Sequence, residues 1–166
     1  TGEVKMSEKS FLESAKFFGR VRRDSSFFYK AKYNQGLAYA EGGDTERALL
    51  AFDDLIGSTN KLPLTNATRV NALLGKARVL YQKQRWDAAI DAYQDIPRDT
   101  EQWHESVFEL SWAYFRAAMF RNVLSNLHSL HSPYYEEFYN PESLILRGVV
   151  YLYICRFDEM EKVLDL

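Results

Sequence analysis

Few residues in this chain have types and spacings that could carry chemistry. His128 and His131 stand three apart, which puts two imidazoles on one helical face and could hold a metal ion between them. No third ligand lies near them in the sequence, so they read instead as surface or core histidines. His104 stands beside Trp103 and reads as a helix-start residue. Cys155 is the only cysteine, so neither an intramolecular disulfide nor a cysteine-based metal site can form. No G-x-S-x-G, Gly-rich phosphate loop or H-E-x-x-H occurs. Arg20, Arg22 and Arg23 form a short basic cluster that suits a solvated helix end better than a lipid or nucleic-acid site. "NAT" at 66–68 fits a glycosylation sequon, a pattern too short to carry weight alone. The sequence therefore predicts no catalytic residue, no metal and no cofactor, and a role other than an enzyme's.

With so little chemistry in the side chains, the sequence is informative chiefly about its elements. The 166 residues suffice for one ordinary domain with a sizeable core. Gly and Pro number only 8 and 4, which favours long helices over many tight turns. The formal net charge is −2 with Lys and Arg scattered, so the basic face of a duplex-binding domain is missing and no nucleic-acid partner is expected. No run of 18 apolar residues occurs, so the chain is not expected to span a membrane.

The segment "RWDAAIDAYQDIP" puts Trp86, Ala89, Tyr93 and Ile96 on one helical stripe, with Asp87, Asp91 and Asp95 on its other side. The same offsets recur 41 residues upstream at Thr45, Ala48, Phe52 and Leu55. They recur downstream at Phe120, Val123, Leu127 and Leu130, and again at Phe157, Met160 and Leu164. A second stripe precedes each. Gly36, Ala77, Ser111 and Gly148 are all small, and three residues later come Tyr39, Leu80, Tyr114 and Tyr151. A small side chain permits close helix–helix approach, and the large one fills the space beside it. Short breaks separate the paired helices: "EGGD", "KQR", "AAMF" and "ICRF". Only the first has strong turn chemistry. An irregular bundle with coincident stripes is the alternative, but several offsets would have to recur together.

The pattern resembles the tetratricopeptide repeat, a helix–turn–helix unit of about 34 residues with a small residue in its first helix and Ala-x3-aromatic in its second. "NQGLAYAEGGDTERALLAF" and "GKARVLYQKQRWDAAIDAY" carry it well. The third and fourth copies depart from it, with Val123 and Met160 where Ala is usual. The resemblance implies an all-α, right-handed α-solenoid of antiparallel helix pairs. A single array over 1–166 would hold an N-terminal helix at 7–23 and repeats at 28–57, 65–97, 101–131 and 140–166. The first helix reads equally as the second helix of a preceding repeat or as a plain cap.

The resemblance also implies that first helices line a concave groove. The positions it places there are Tyr33, Leu37, Leu74, Arg78, Tyr81, Phe108, Trp112, Phe115, Arg116, Ile145, Val149 and Tyr153. Such a surface suits an amphipathic helix or an apolar peptide, so the expected partner is a protein or peptide. The alternative is that these side chains pack on one another. One subset of the family clamps a chaperone's C-terminal carboxylate with Lys and Asn. The corresponding positions here are Tyr33, Leu37, Gly75, Glu105 and Glu109, so that ligand is not expected.

Two inserts, 57–69 and 131–143, interrupt the period. Tyr134, Tyr135, Phe138 and Tyr139 in the second could serve recognition or plug the seam between repeats. The chain starts without Met and ends on an apolar repeat, so a fragment of a larger protein is expected. Its terminal face would then meet a neighbour or a second copy. Similarity to aromatic-rich bacterial arrays suggests a cell-envelope setting, with the cytoplasm as the other possibility.

Overall fold

The computed structural model describes residues 10–60, 62–133, 135 and 140–164. Nine α-helices and no strand occur among the described residues. Contacts divide the chain into two units, the first ending at Gln102 and the second beginning at Trp103. Unit 1 holds α1 (Phe11–Phe18), α2 (Phe28–Glu41), α3 (Thr45–Ser58), α4 (Ala67–Gln82) and α5 (Trp86–Gln94). Unit 2 holds α6 (Trp103–Arg116), α7 (Phe120–Leu130), α8 (Pro141–Tyr153) and α9 (Phe157–Leu164).

Each helix pair closes through one turn geometry. Gly43, Gln84, Ala118 and Cys155 all take left-handed φ, at 79°, 59°, 58° and 57°. The next residue's amide then bonds five residues back into the first helix. Asp44 N donates to Tyr39 O, Arg85 N to Leu80 O, Met119 N to Tyr114 O and Arg156 N to Tyr151 O, all within 3.0 Å. This pattern satisfies orphan carbonyls at the helix end. The second helix begins two residues after the left-handed one, at Thr45, Trp86, Phe120 and Phe157. Only the first copy has glycine at the strained position. In the others, packing imposes the conformation on residues that disfavour it.

The stripes read from sequence meet in the cores. In unit 1, Ala48, Phe52, Leu55, Ala77 and Ala89 are fully buried. In unit 2, Val123, Leu127, Leu146 and Val150 play that part, with Ser111 buried and its hydroxyl donating to Val107 O. Asn66 caps α4 by accepting from the amides of Thr68 and Arg69, and Asn140 caps α8 by accepting from Glu142 N. Lysines of the first helices tie the acids of α3: Lys32 to Asp54 at 2.9 Å, Lys76 to Asp53 at 2.7 Å, and Lys83 to Glu46. The Lys32 and Lys83 hydrogen bonds hold the carboxyls of Asp54 and Glu46 below the ordinary range.

The helix expected across 7–23 is described over Phe11–Phe18, and residues 7–9 lie outside the described residues. The first insert is shorter than expected, because α3 runs on to Ser58 and α4 begins at Ala67. Arg69 of α4 reaches back to donate to Ile56 O and Asn60 Oδ1, closing the end of α3.

Candidate functional site

The first helices of unit 1 bring three of the expected groove residues together. Tyr33 and Leu37 of α2 face Arg78 of α4 across a cleft of about 260 Å³. Its floor is Phe52, which reaches between the two helices from α3. The Phe52 ring fits there because α2 and α4 both present glycine. A Cβ at Gly36 would lie 2.7 Å from Phe52 Cε1, and one at Gly75 would lie 2.6 Å from Cζ. Tyr33 leans on the same ring, with centroids 6.0 Å apart. Glu41 and Gln82 stand at the rim, both exposed. The volume falls at or below the small end of ligand pockets, roughly 300–1,000 Å³. It suits one or two apolar side chains.

Two expected groove positions in unit 1 are placed otherwise. Leu74 is 5% exposed and belongs to the core, which corrects its expected place in the groove. It follows Leu73 and precedes Gly75 on a helix buried on several sides, and the residues of that helix that line the cleft are Gly75, Arg78 and Val79. Tyr81 packs edge-on against Trp86 at 5.1 Å and stays half-buried, so much of its ring serves the α4–α5 pair.

In unit 2 the aromatic positions gather around Phe115. Its ring meets Trp112 at 5.8 Å, Phe120 at 5.8 Å and Tyr153 at 5.2 Å, all edge-to-face. Such geometry sets the positive edge of one ring against the negative face of the next. Tyr153 is nonetheless 65% exposed and Ile145 62%. Phe108 and Val149 are half-buried, and Arg116 is exposed. Phe120 was not anticipated at this surface. A signal for it existed: Phe120 follows Phe115 by five residues, as Trp86 follows Tyr81, and both pairs stack across the same turn.

His131 and His104 are packed into unit 2. His131 Nε2 lies 2.6 Å from the Ser143 hydroxyl, which donates to Asn140 O, so the end of α7 is tied to the start of α8. Burial pushes the His131 imidazole below its ordinary value, with the charges of Arg147 and His128 adding to the effect. Burial also lowers His104. His104 and Trp103 pack against Tyr135 at 4.5 and 5.5 Å. Tyr135 thus packs on the start of α6, while Tyr134, Phe138 and Tyr139 lie outside the described residues. Among the described residues no group of three or more His, Cys, Asp or Glu is placed to hold a metal. None of their helices is long and apolar enough to cross a membrane.

The sequence profile of the tetratricopeptide repeat matches residues 10–63 and 65–102. The chain belongs to the tetratricopeptide repeat family. No curated protein sequence matches it. Solved structures with the same all-α repeat fold include a putative kinesin light chain of Podosopora anserina with nearly identical TPR-like repeats. That structure is 13% identical with a TM-score of 0.76, over 99% of this chain and 88% of the other. MamA 41-end from Desulfovibrio magneticus RS-1 is 13% identical with a TM-score of 0.77, over 99% and 87%. BtubC (BKLC) from P. vanneervenii is 16% identical with a TM-score of 0.71, over 99% and 74%. At these identities the likeness concerns the repeat fold. The match to the family profile covers unit 1, where the small–large pattern is intact. It stops before Val123 and Met160, where the Ala of the second helix is replaced.

Proposed function

We propose that the chain is a protein-interaction scaffold that receives a partner helix or extended peptide on its first-helix surfaces. In unit 1, Tyr33, Leu37 and Arg78 surround the Phe52-floored cleft, which takes an apolar side chain of the partner. In unit 2, Trp112, Phe115 and Tyr153 offer ring faces and edges, with Phe108, Arg116, Ile145 and Val149 beside them on α6 and α8. The observation that carries this reading is the unfilled cleft between α2 and α4. A purely structural contact would have closed it, whereas apolar floor and polar rim together are what a peptide side chain needs. The test is affinity capture from the source organism with the parent chain and with Leu37→Arg, alongside circular dichroism of both. Loss of a specific co-isolated protein with an unchanged helical spectrum supports the reading. Equal retention by both chains contradicts it.

A second reading, assembly with neighbouring chains, is favoured by one observation. Leu152, Tyr153 and Phe157 follow one another across the α8–α9 turn, each at least half exposed. Contiguous apolar surface of this kind commonly marks an interface. Sedimentation analysis separates the two, since a concentration-dependent oligomer favours assembly and a clean monomer favours the groove.

A further inference from the structure

α4 shows a different stripe to each of two clefts. Gly75, Arg78 and Val79 face the cleft described above. Leu73, Lys76 and Leu80 face a second cleft of about 300 Å³, between α3 and α5. The two stripes lie on different sides of the helix. The floor of the second cleft is Leu49, Leu73, Leu80 and Ala92, all under a tenth exposed. Ala88 and Ala92, one turn apart on α5, keep it open, because a longer side chain at either place would fill it.

The walls of this cleft are charged unequally. On the α3 side, Asp53 is neutralised by Lys76. On the α5 side, Asp91 and Asp95 lie one turn apart, both exposed, and neither carboxylate makes an ion pair or hydrogen bond among the described residues. Arg85 lines the same cleft without pairing with either. The contrast with α3 is informative. Glu46, Asp53 and Asp54 each receive a lysine from a first helix or the residue that ends it. The positions 41 residues on from Glu46 and Asp54 are Asp87 and Asp95, and neither makes an ion pair among the described residues. Like charges at i,i+4 repel, so the α5 wall is left with a charge pattern that an incoming cation relieves.

We propose that this cleft docks a basic amphipathic helix of a partner protein. An aliphatic side chain enters beside Ala88 onto the leucine floor, and Lys or Arg side chains one turn apart pair with Asp91 and Asp95. The surface belongs to the second helices and is distinct from the first-helix cleft, so it goes beyond the scaffold reading. Charge complementarity sets the polarity of the partner and steers its approach.

The probe is a fluorescein-labelled amphipathic peptide of Leu and Lys, about 18 residues, long enough to hold a helix. Its twin carries Glu for every Lys. Binding is read by anisotropy, and the site by backbone amide shifts of the labelled chain. The Lys peptide is expected to move the amides of Ala88, Asp91, Ala92 and Asp95, and to bind at least tenfold tighter than the Glu twin. The double variant Asp91→Asn, Asp95→Asn should lose at least tenfold with its melting temperature no lower than the parent's. Ala88→Leu, which keeps the charges and fills the cleft, should also weaken binding. Shifts centred on Tyr33 and Leu37, equal binding of the Glu twin, or parental binding by the asparagine variant would each overturn the proposal.

Discussion

The ring of Phe52, carried by α3, lies against the bare α-carbon of Gly75 in α4, so close that an added methyl group would sit 2.6 Å from Cζ. Phe52 is fully buried and is flanked by Gly36 as well, so it has nowhere to withdraw. Gly75→Ala should therefore destabilise by about 1–3 kcal/mol, the usual cost of overpacking, although alanine is the better helix former. Gly57, also within a helix, meets nothing within 4 Å. Gly57→Ala should leave stability unchanged or raise it by up to about 1 kcal/mol. Urea unfolding of both variants checks the pair. If Gly75→Ala unfolds no earlier than Gly57→Ala, the close approach is wrong.

The left-handed turns give a second expectation. Gln84 and Ala118 hold φ near 59° and 58°, a conformation that costs a non-glycine residue roughly 1–2 kcal/mol. Glycine relieves that strain but loses more entropy on folding, roughly 0.5–1 kcal/mol. Gln84→Gly and Ala118→Gly should each stabilise by up to about 1 kcal/mol, and Gly43→Ala should destabilise by a similar amount. Denaturation midpoints that move the other way would contradict the turn geometry.

The amide of Asn66 closes the start of α4 by accepting from two backbone N–H groups. Asn66→Ala should cost about 1 kcal/mol, and Asn66→Asp should retain most of the stability, since Asp caps equally well. Thermal melts of the two variants decide it. Similar losses for both would mean that the cap is not what Asn66 contributes.

Stability should also depend on pH through His131. Its folded value is lowered, first by burial, so the folded chain disfavours the charged imidazole. The neutral form's stability is complete above the unfolded value of about 6.5 and is lost progressively as pH falls below it. The melting temperature of the parent should decline below about pH 6.5 more steeply than that of His131→Gln. Parallel profiles would show that His131 is not the group responsible.

Much of the fold was legible because one spacing recurs four times. Ala48, Ala89 and Val123 share an offset and are all fully buried, as Gly36, Ala77, Ser111 and Gly148 are buried at another. The turns at Gln84, Ala118 and Cys155 were legible only through that period, since their residue types argue against left-handed φ. The candidate site was less legible. Periodicity fixes which way a helix face turns, and so it brought Tyr33, Leu37 and Arg78 to one cleft and Trp112, Phe115 and Tyr153 to one cluster. It could not show that Leu74 is enclosed, because enclosure depends on neighbouring helices rather than on the helix's own pattern. Nor could it show the second cleft, which exists because Ala88 and Ala92 are small where α3 and α5 flank α4.

The most direct test of the scaffold reading is site-specific photo-crosslinking in the source organism, with a photoreactive phenylalanine analogue placed in turn at Leu37, Tyr153 and Leu64. Leu37 borders the unit 1 cleft, Tyr153 belongs to the unit 2 aromatic cluster, and Leu64 is 65% exposed but lies in the first insert. The account predicts discrete protein adducts from Leu37 and Tyr153 and none from Leu64. Adducts from Leu64 alone, or none from either first-helix position, would contradict it.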